Sequence, residues 1–311
     1  MENSTSIAYK KENTTFKNEL TSNQILDFAS MLQLVLGCSI IMLNLFSTLI
    51  LIRSAKMMFS VRLPAINMSI SYILLGIGLL VPDTLVFDRH VCLSKNYTVQ
   101  ALLFVSSLII TMMNADRVFS LRFPFKYSSL MSRKNVRIGC LMCWLIGFFS
   151  CIHENTCGWT NLVTQRSLTY NFGFFSAIIV FNILGYCYVI HYAISATRGK
   201  INMKCIKKVS LYTGCFVLFA FPYIISRFAH TMSPKPNLLL INLKELFARL
   251  IFVTPFLNPI LYTILFTECR FQLLTFICFW NTKLLNKYKE KAKKNKCTYT
   301  IESISKSENF R

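Results

Sequence analysis

Seven long stretches of the chain contain almost no charged residue, and clusters of charge separate them. They cover about residues 28–52, 63–82, 96–115, 138–152, 171–194, 209–226 and 246–266. Apolar stretches of about 18 residues or more are typical of helices that cross a lipid bilayer. Such helices satisfy their backbone hydrogen bonds internally, which the bilayer interior requires. The pattern predicts an all-α membrane protein, a bundle of seven transmembrane helices in residues 28–266. A carrier with six or eight spans is the alternative count.

The composition agrees with a membrane protein. Of the 311 residues, 54% are hydrophobic and 15% are charged, whereas soluble domains carry roughly 25% charged residues. The formal net charge is +21. A nucleic-acid partner would require a basic stripe interleaved with aromatic residues in a soluble module, and the sequence shows none. Basic cytosolic loops explain the same excess, so no nucleic-acid partner is predicted.

The distribution of Lys and Arg predicts the orientation in the membrane. Both are dense after the first, third and fifth stretches and in the C-terminal tail. Because positive residues favour the cytosolic side, we expect a plasma-membrane protein with its N-terminus outside. Residues 1–27 then form a polar extracellular tail, in which Asn3 and Asn13 begin glycosylation sequons. No apolar core follows Met1, so the first span is expected to act as the insertion signal.

The chain after the last span divides into two parts. Residues 267–280 predict a short amphipathic helix on the inner membrane surface. Cys278 at its end is a candidate for palmitoylation, and an unmodified thiol is the alternative. Residues 281–311 predict a basic cytosolic tail that contains Ser and Thr. Its lysines attract anionic lipid with roughly 1 kcal/mol per charge near the surface.

No catalytic, cofactor or metal site is predicted. The four histidines are scattered, and the Cys140–Cys143 pair lies inside a membrane stretch, where cysteine behaves as a small apolar residue. A carrier or channel is the rival class. It would require charged residues along a path through the membrane, and the inner halves of the spans have almost none.

Several motifs occur in a fixed order along the spans. The third span ends in Asp116-Arg117-Val118, and the seventh closes with Asn258-Pro259-Ile260-Leu261-Tyr262. The other positions of the same pattern are Asn44, Cys92, Pro124, Tyr127, Trp144, Phe216 and Pro222. Together they resemble the signature of the rhodopsin-like (class A) G-protein-coupled receptors across roughly residues 30–280.

The resemblance implies a receptor that couples a ligand to heterotrimeric G proteins. In that family the aspartate holds the arginine at rest, and the arginine meets the G protein in the active state. Prolines loosen the sixth and seventh helices; simple kinks are the alternative. The implied switch residues are Asp116, Arg117, Tyr188 (or Tyr186), Pro222, Asn258, Pro259 and Tyr262. The resemblance also implies a disulfide between Cys92 and Cys157, with Cys151 as the rival, and receptor kinase and arrestin partners at the tail.

The chain departs from the family pattern at several positions. Tyr72 stands where the family has an aspartate that supports a sodium site, and Ala220 stands where it has a tryptophan. Val118 replaces the usual tyrosine, and the fifth span lacks its usual proline. No acidic residue near Asn202 is available to pair with Arg117 from the sixth span. These changes suggest appreciable ligand-free activity; a non-signalling decoy or scaffold is the alternative.

The resemblance also predicts the ligand pocket, in the outer halves of the spans. Val99 stands where amine receptors carry an aspartate, so a monoamine is disfavoured. Phe252 stands where opsins carry the lysine that binds retinal, which excludes a Schiff base. Arg227 and Arg249 are candidates for contacting an acidic ligand, or Arg249 pairs with Glu245 and Arg227 reaches water. The pocket candidates are Val99, Gln100, Leu103, Phe104, Tyr223, Arg227, Arg249 and Phe252, for a small molecule or a peptide.

Overall fold

The computed structural model describes residues 31–55, 57–81, 89–152, 161–195, 203–233 and 238–277. All regular secondary structure within these residues is helical. In chain order the helices are α1 (Met31–Arg53), α2 (Phe59–Leu80), α3 (Arg89–Arg122), α4 (Pro124–Leu130), α5 (Arg133–Ile152), α6 (Asn161–Ser195), α7 (Met203–Met232), α8 (Leu238–Leu250), α9 (Val253–Leu265) and α10 (Thr267–Ile277).

Four helices in the described part of the chain are long and apolar enough to cross a bilayer. They are Met31–Arg53, Phe59–Leu80, Thr98–Arg122 within α3 and Gly173–Tyr192 within α6. A shorter apolar segment, Gly214–Ser226, lies within α7. The predicted all-helical membrane architecture is confirmed at this level.

The surface and interior of the bundle are inverted relative to a soluble protein. Large apolar side chains point outward, among them Leu34, Leu49, Ile77, Phe149 and Leu184, each at least half exposed. Buried polar side chains occupy the interior, including Asn44, Ser71, Asn114, Asn182 and Asn258. An apolar exterior suits contact with lipid, and buried polar groups in membrane bundles form hydrogen bonds between helices.

Helix α3 is the centre of the bundle. It packs against α2, α4, α5 and α6, while α7 packs against α6, α8 and α9. Small residues allow close approach of the helices: a Cβ added to Gly147 of α5 would lie 2.5 Å from Cγ2 and 3.0 Å from the backbone N of Val105 in α3. Likewise, a Cβ on Gly76 of α2 would lie 2.6 Å from Cγ1 of Ile41 in α1.

Several element boundaries differ from those predicted from hydrophobicity. α3 begins at Arg89 rather than near residue 96, α6 at Asn161 rather than near 171, and α7 at Met203 rather than near 209. The earlier starts include polar residues that hydrophobicity assigns to loops. A helix of 35 residues such as α6 is about 52 Å long at 1.5 Å per residue. It is therefore longer than the roughly 30 Å hydrocarbon layer.

The last membrane segment is divided. α8 ends at Leu250 and α9 begins at Val253, with Ile251 and Phe252 in a turn. The N–H of Phe252 donates to the carbonyl of Arg249, three residues earlier, at 3.2 Å. This makes a tighter turn than the four-residue spacing of an α-helix. The sequence predicted one continuous span over residues 246–266, so this break is a correction. The short helix α10 follows directly and packs against α9. It covers Thr267–Ile277 of the segment predicted to be helical, and its place on the membrane surface stays a prediction.

Candidate functional site

The first polar cluster forms where α3 ends. Phe123 leaves helical geometry with φ −130° and ψ 61°, and Pro124 occupies the first turn of α4. The residue before a proline disfavours the α conformation, whereas proline suits the first position of a helix. The chain therefore turns at this point. The turn brings Tyr127 of α4 back towards Asp116 of α3.

Asp116 is held by contacts from two helices. Its side chain is 2% exposed, and its Oδ2 lies 3.2 Å from Nη2 of Arg117. No directed hydrogen bond reaches Oδ2, so this contact is chiefly a charge attraction. Oδ1 accepts a hydrogen bond of 2.9 Å from the Tyr127 hydroxyl. Asp116 and Arg117 are therefore in contact, with Tyr127 as the third member of the cluster.

Ser60 at the start of α2 completes this cluster. Its Oγ lies 3.1 Å from the Tyr127 hydroxyl oxygen. Because a carboxylate can only accept, the tyrosine proton points to Asp116 and the Ser60 hydroxyl must donate to Tyr127. α2, α3 and α4 are therefore joined by one chain of hydrogen bonds. Ser60 had no signal in the sequence.

Burial and the nearby Asp116 charge raise the pKa of Tyr127 to about 12, against an ordinary value of 10.0. The phenol is therefore protonated across the physiological pH range. A pKa raised on folding means that the contribution to stability is complete below pH 10. It is lost as the pH rises through about 12.

A second polar cluster forms around Tyr72, at the position where the family carries an aspartate. Tyr72 is 1% exposed. Its hydroxyl oxygen accepts a hydrogen bond of 2.8 Å from Nδ2 of Asn258 in α9, and Ser106 of α3 lies beside the same hydroxyl. The Ser106 hydroxyl donates to the carbonyl of Leu103 at 2.9 Å. Because Asn258 donates to the Tyr72 oxygen, the tyrosine proton points away from Asn258.

These contacts define a relay in which Tyr72 of α2 joins α9 to α3. Asn258 donates to Tyr72, Ser106 lies beside the Tyr72 hydroxyl, and the Ser106 hydroxyl donates to the backbone. The relay is neutral throughout. Met68 completes the surroundings of Asn258, with its sulfur 3.9 Å from Nδ2. The sequence marked Tyr72 as a loss, but the structure shows a direct link between three helices.

A third polar cluster joins α3 to α6 and was not predicted. The side chain of Asn182, which is fully buried, donates to Thr111 Oγ1 at 2.7 Å. Asn114 in turn donates to the backbone oxygen of Asn182 at 3.1 Å. The approach is close at Gly185, where an added Cβ would lie 2.6 Å from Nδ2 of Asn114. Asparagines inside apolar spans were the available sequence signal.

The remaining switch residues have these positions. Pro222 lies inside α7 and Pro259 inside α9, and Asn44 of α1 donates to the carbonyl of Pro255 at 3.0 Å. Tyr188 stacks on Tyr192 along α6, with ring centroids 6.3 Å apart. Its alternative, Tyr186, faces α7: a Cβ on Gly214 would lie 3.7 Å from its hydroxyl.

The ligand-pocket candidates are divided by burial. Phe104 is buried; its ring stacks on that of Phe174 of α6 with centroids 5.9 Å apart and meets that of Phe175 edge to face at 5.1 Å. Leu103, Tyr223 and Phe252 pack against the core with partial exposure, as does Val99, which faces Gly78 of α2. Gln100 is also partly buried, and Arg249 is exposed.

Other predicted residues lie outside the part of the structure that can be described. Asn3, Asn13, Cys157 and Cys278 fall outside the described ranges, as do the side chains of Cys92, Arg227 and Tyr262. In α10, Cys269 is fully buried against Ser54 at 3.8 Å, and burial raises the pKa of its thiol to about 11. Among the described residues no group of three or more potential metal ligands occurs.

Comparison with known proteins decides the family. The model of the 7 transmembrane receptor (rhodopsin family) matches residues 66–262, which include Asp116, Arg117 and Tyr127, as well as Tyr72 and the Asn258–Tyr262 motif. The chain belongs to the rhodopsin family of seven-transmembrane receptors. A similar protein is the growth hormone secretagogue receptor type 1 of Mus musculus, 21% identical over 238 residues. The alignment covers 64% of this receptor and 65% of the length of the mouse receptor.

Family membership decides between a receptor and a carrier. The protein is a multi-pass membrane receptor, and the family is one of receptors rather than enzymes. The carrier alternative loses its support. The resemblance drawn from the motifs is confirmed, while the roles of individual residues are matters for proposal.

Proposed function

We propose that this receptor has seven spans and transmits an extracellular signal to heterotrimeric G proteins at the plasma membrane. α1, α2, α3, α5, α6 and α7 supply six spans, and the divided α8–α9 segment supplies the seventh. The N-terminus is extracellular, and α10 lies on the cytosolic surface. The dense Lys and Arg clusters, on the side of the α3–α4 turn, support this orientation.

The Asp116 cluster is the observation that carries the proposal. An arginine at the membrane boundary is stable when it is paired or in contact with water. Here Arg117 is 11% exposed, beside a carboxylate that is 2% exposed. Asp116 is itself tied to Tyr127 and Ser60. Such a pair can be exchanged for contacts with a partner, because separating it requires only a rotation of the Arg117 side chain.

The pocket candidates support a ligand that is neither a monoamine nor retinal. Val99 and Phe252 are apolar and pack against the core, so neither provides an anion or a Schiff-base amine. The partly exposed apolar wall with few polar groups suits a small organic molecule, and a peptide is the alternative. The disulfide between Cys92 and Cys157, the sequon glycans and the tail contacts with kinase and arrestin belong to the same proposal.

Appreciable ligand-free activity is part of the proposal. The segment from Arg198 to Gly214 contains no acidic residue, so the start of α7 offers Arg117 no carboxylate that would hold the two helices together. Tyr72 does not by itself loosen the resting bundle, because its hydroxyl links α2 to Asn258 of α9. The expectation of basal activity therefore depends on the acid-free start of α7.

The test compares ligand-free G-protein activation by the wild type and by Arg117→Ala at matched surface expression. Arg122→Ala is the control, since Arg122 is exposed in the last turn of the same helix. We expect basal signal in the wild type and in Arg122→Ala, and its loss in Arg117→Ala. Equal signal in Arg117→Ala and wild type would refute the role of Arg117.

A decoy or scaffold receptor is the second candidate, favoured by Tyr72, Val118 and Ala220, which depart from the family pattern. Screening a ligand library against the wild type separates the two. A ligand that activates a G protein in the wild type but not in Arg117→Ala supports signalling. Ligands that bind and internalise with no G-protein response would support the decoy.

A further inference from the structure

Two arginines share one aromatic ring on the side of the bundle. The guanidinium carbons of Arg133 and Arg137, on the first turns of α5, lie 5.9 and 5.7 Å from the centroid of the Phe59 ring. Phe59 is the first residue of α2. The two cations are therefore close neighbours, each in the range of a cation–π contact. Both side chains and that of Lys134 are exposed.

The charges around this ring are all of one sign. From residue 117 to 137 the sequence contains six cations and no acidic residue. Neither α2 nor α5 has an acidic residue in its first turn. Two like charges at i and i+4 destabilise a helix, and cations are unfavourable at a helix N-terminus. Among the described residues, the two arginines thus have no anion of the kind that both the side chains and the helix ends favour.

The same face of α5 continues with exposed apolar residues. Arg133, Arg137, Leu141 and Leu145 follow one another at spacings of four, which places them on one face of the helix. Leu141 is 58% exposed and Leu145 is 42% exposed. Two cations followed by two exposed leucines match the order of headgroup and acyl chain in one leaflet of a bilayer.

We propose that Phe59, Arg133, Lys134 and Arg137 form a binding site for the phosphorylated headgroup of a phosphoinositide in the cytosolic leaflet. The choice of the cytosolic leaflet rests on the orientation of the receptor given in the proposed function. The planar guanidinium fork binds a phosphate through paired hydrogen bonds. The ring of Phe59 holds both forks at one place, and Leu141 and Leu145 face the acyl chains. A soluble phosphate would leave that apolar stripe without a role.

The binding test uses the full-length receptor in phosphatidylcholine nanodiscs. Phosphatidylinositol 4,5-bisphosphate is compared with phosphatidylserine at equal total charge and with soluble inositol trisphosphate. The variant Arg133→Gln/Arg137→Gln is measured beside the control Arg53→Gln/Arg270→Gln. The control removes the same charge from exposed positions and includes an arginine 5.9 Å from another ring, Phe276.

We expect Arg133→Gln/Arg137→Gln to weaken binding of the bisphosphate lipid roughly a hundredfold, because each change removes charge-assisted hydrogen bonds to phosphate as well as a charge. The control removes only diffuse attraction to the membrane surface, so its loss should be several times smaller, at most about thirtyfold. Arg133→Lys/Arg137→Lys keeps the charge but not the fork, so it should weaken binding of the bisphosphate lipid while leaving that of phosphatidylserine unchanged.

Three results would overturn the site. An equal loss of lipid affinity in the test pair and the control pair would mean that diffuse positive charge, not a site, attracts the lipid. Wild-type affinity for the bisphosphate lipid in Arg133→Lys/Arg137→Lys would mean the same. Binding of inositol trisphosphate as tight as that of the lipid would identify a soluble anion as the ligand. Both faces of a nanodisc are accessible, so the binding result does not depend on the orientation of the receptor. The orientation is tested separately by labelling the thiol of Asn135→Cys on intact cells.

Discussion

Two buried tyrosine hydroxyls connect the helices of this receptor at its polar clusters. Tyr127 joins Asp116 to Ser60, and Tyr72 accepts from Asn258 beside Ser106. A phenol can donate and accept at once, which suits each tyrosine to the middle of a polar cluster. Each also fills volume with an apolar ring, which an aspartate or serine at the same position would not do.

At the residue scale, Tyr127→Phe is expected to lower the free energy of unfolding by about 2 kcal/mol. The change removes the donor to a buried carboxylate, and leaving such a group without its bond is unfavourable. Thermal unfolding of purified receptor measures the effect. Tyr192→Phe is the matched control, since that ring stacks on Tyr188 away from the cluster.

The pH dependence gives this prediction a second readout. Because the folded pKa of Tyr127 is about 12 and its ordinary value is 10.0, the difference in stability from the wild type should be constant below pH 10. It should shrink as the pH rises towards 12. A difference that disappears between pH 6 and 8 would contradict the assigned bond, since neither value lies near this pKa.

At the element scale, the position of α5 against α3 depends on a glycine. Gly147→Ala places a methyl group 3.0 Å from the backbone N of Val105. The backbone of α3 cannot move aside as a side chain could, so α5 itself must shift. We expect a loss of roughly 1–3 kcal/mol, seen as lower thermal stability and surface expression. Gly173→Ala is the control, because an added Cβ there meets nothing within 4 Å. Equal stability of the two variants would contradict the close contact.

The link between α2 and α9 gives a second prediction at this scale. Tyr72→Phe keeps the ring and removes the hydroxyl that accepts from Asn258 and lies beside Ser106. We expect a loss of about 1–3 kcal/mol, because Asn258 is buried and loses its acceptor. We also expect higher basal signalling, because α9 is less restrained.

Removing sodium ions from the medium tests whether the Tyr72 relay is a cation site. No member of the relay is charged, so replacing sodium by choline should leave the basal signal of the wild type unchanged. A decrease or increase on exchange would show that a cation binds at this place after all. Ser106→Ala, which removes the last side chain of the relay, should resemble Tyr72→Phe in stability.

At the scale of the whole molecule, the charge distribution orients the receptor in the membrane. Asn3 and Asn13 lie in the N-terminal tail and can be glycosylated only if that tail enters the lumen of the secretory pathway. We expect the receptor from cells to migrate faster on a gel after glycosidase treatment. Asn3→Gln/Asn13→Gln should abolish that change. A wild type that glycosidase does not shift would contradict the orientation.

The sequence determined the class of architecture and the family, since uncharged stretches allow little besides membrane helices. It also placed Asp116 beside Arg117 in the chain. Adjacent side chains on a helix do not face each other, so their contact at 3.2 Å depends on the surrounding packing. The residues between the third and fourth stretches were predicted to be a loop, whereas Pro124–Leu130 form the helix α4.

Only the tertiary structure decided which distant residues meet. Ser60 and Tyr127 are 67 positions apart, and Tyr72 and Asn258 are 186 apart. Hydrophobicity states that a residue is inside the bundle but not which helix it faces. The position of Phe59 beneath Arg133 and Arg137, and the bond of Tyr72 to α9, depend on helix rotation and packing, which hydrophobic periodicity does not encode.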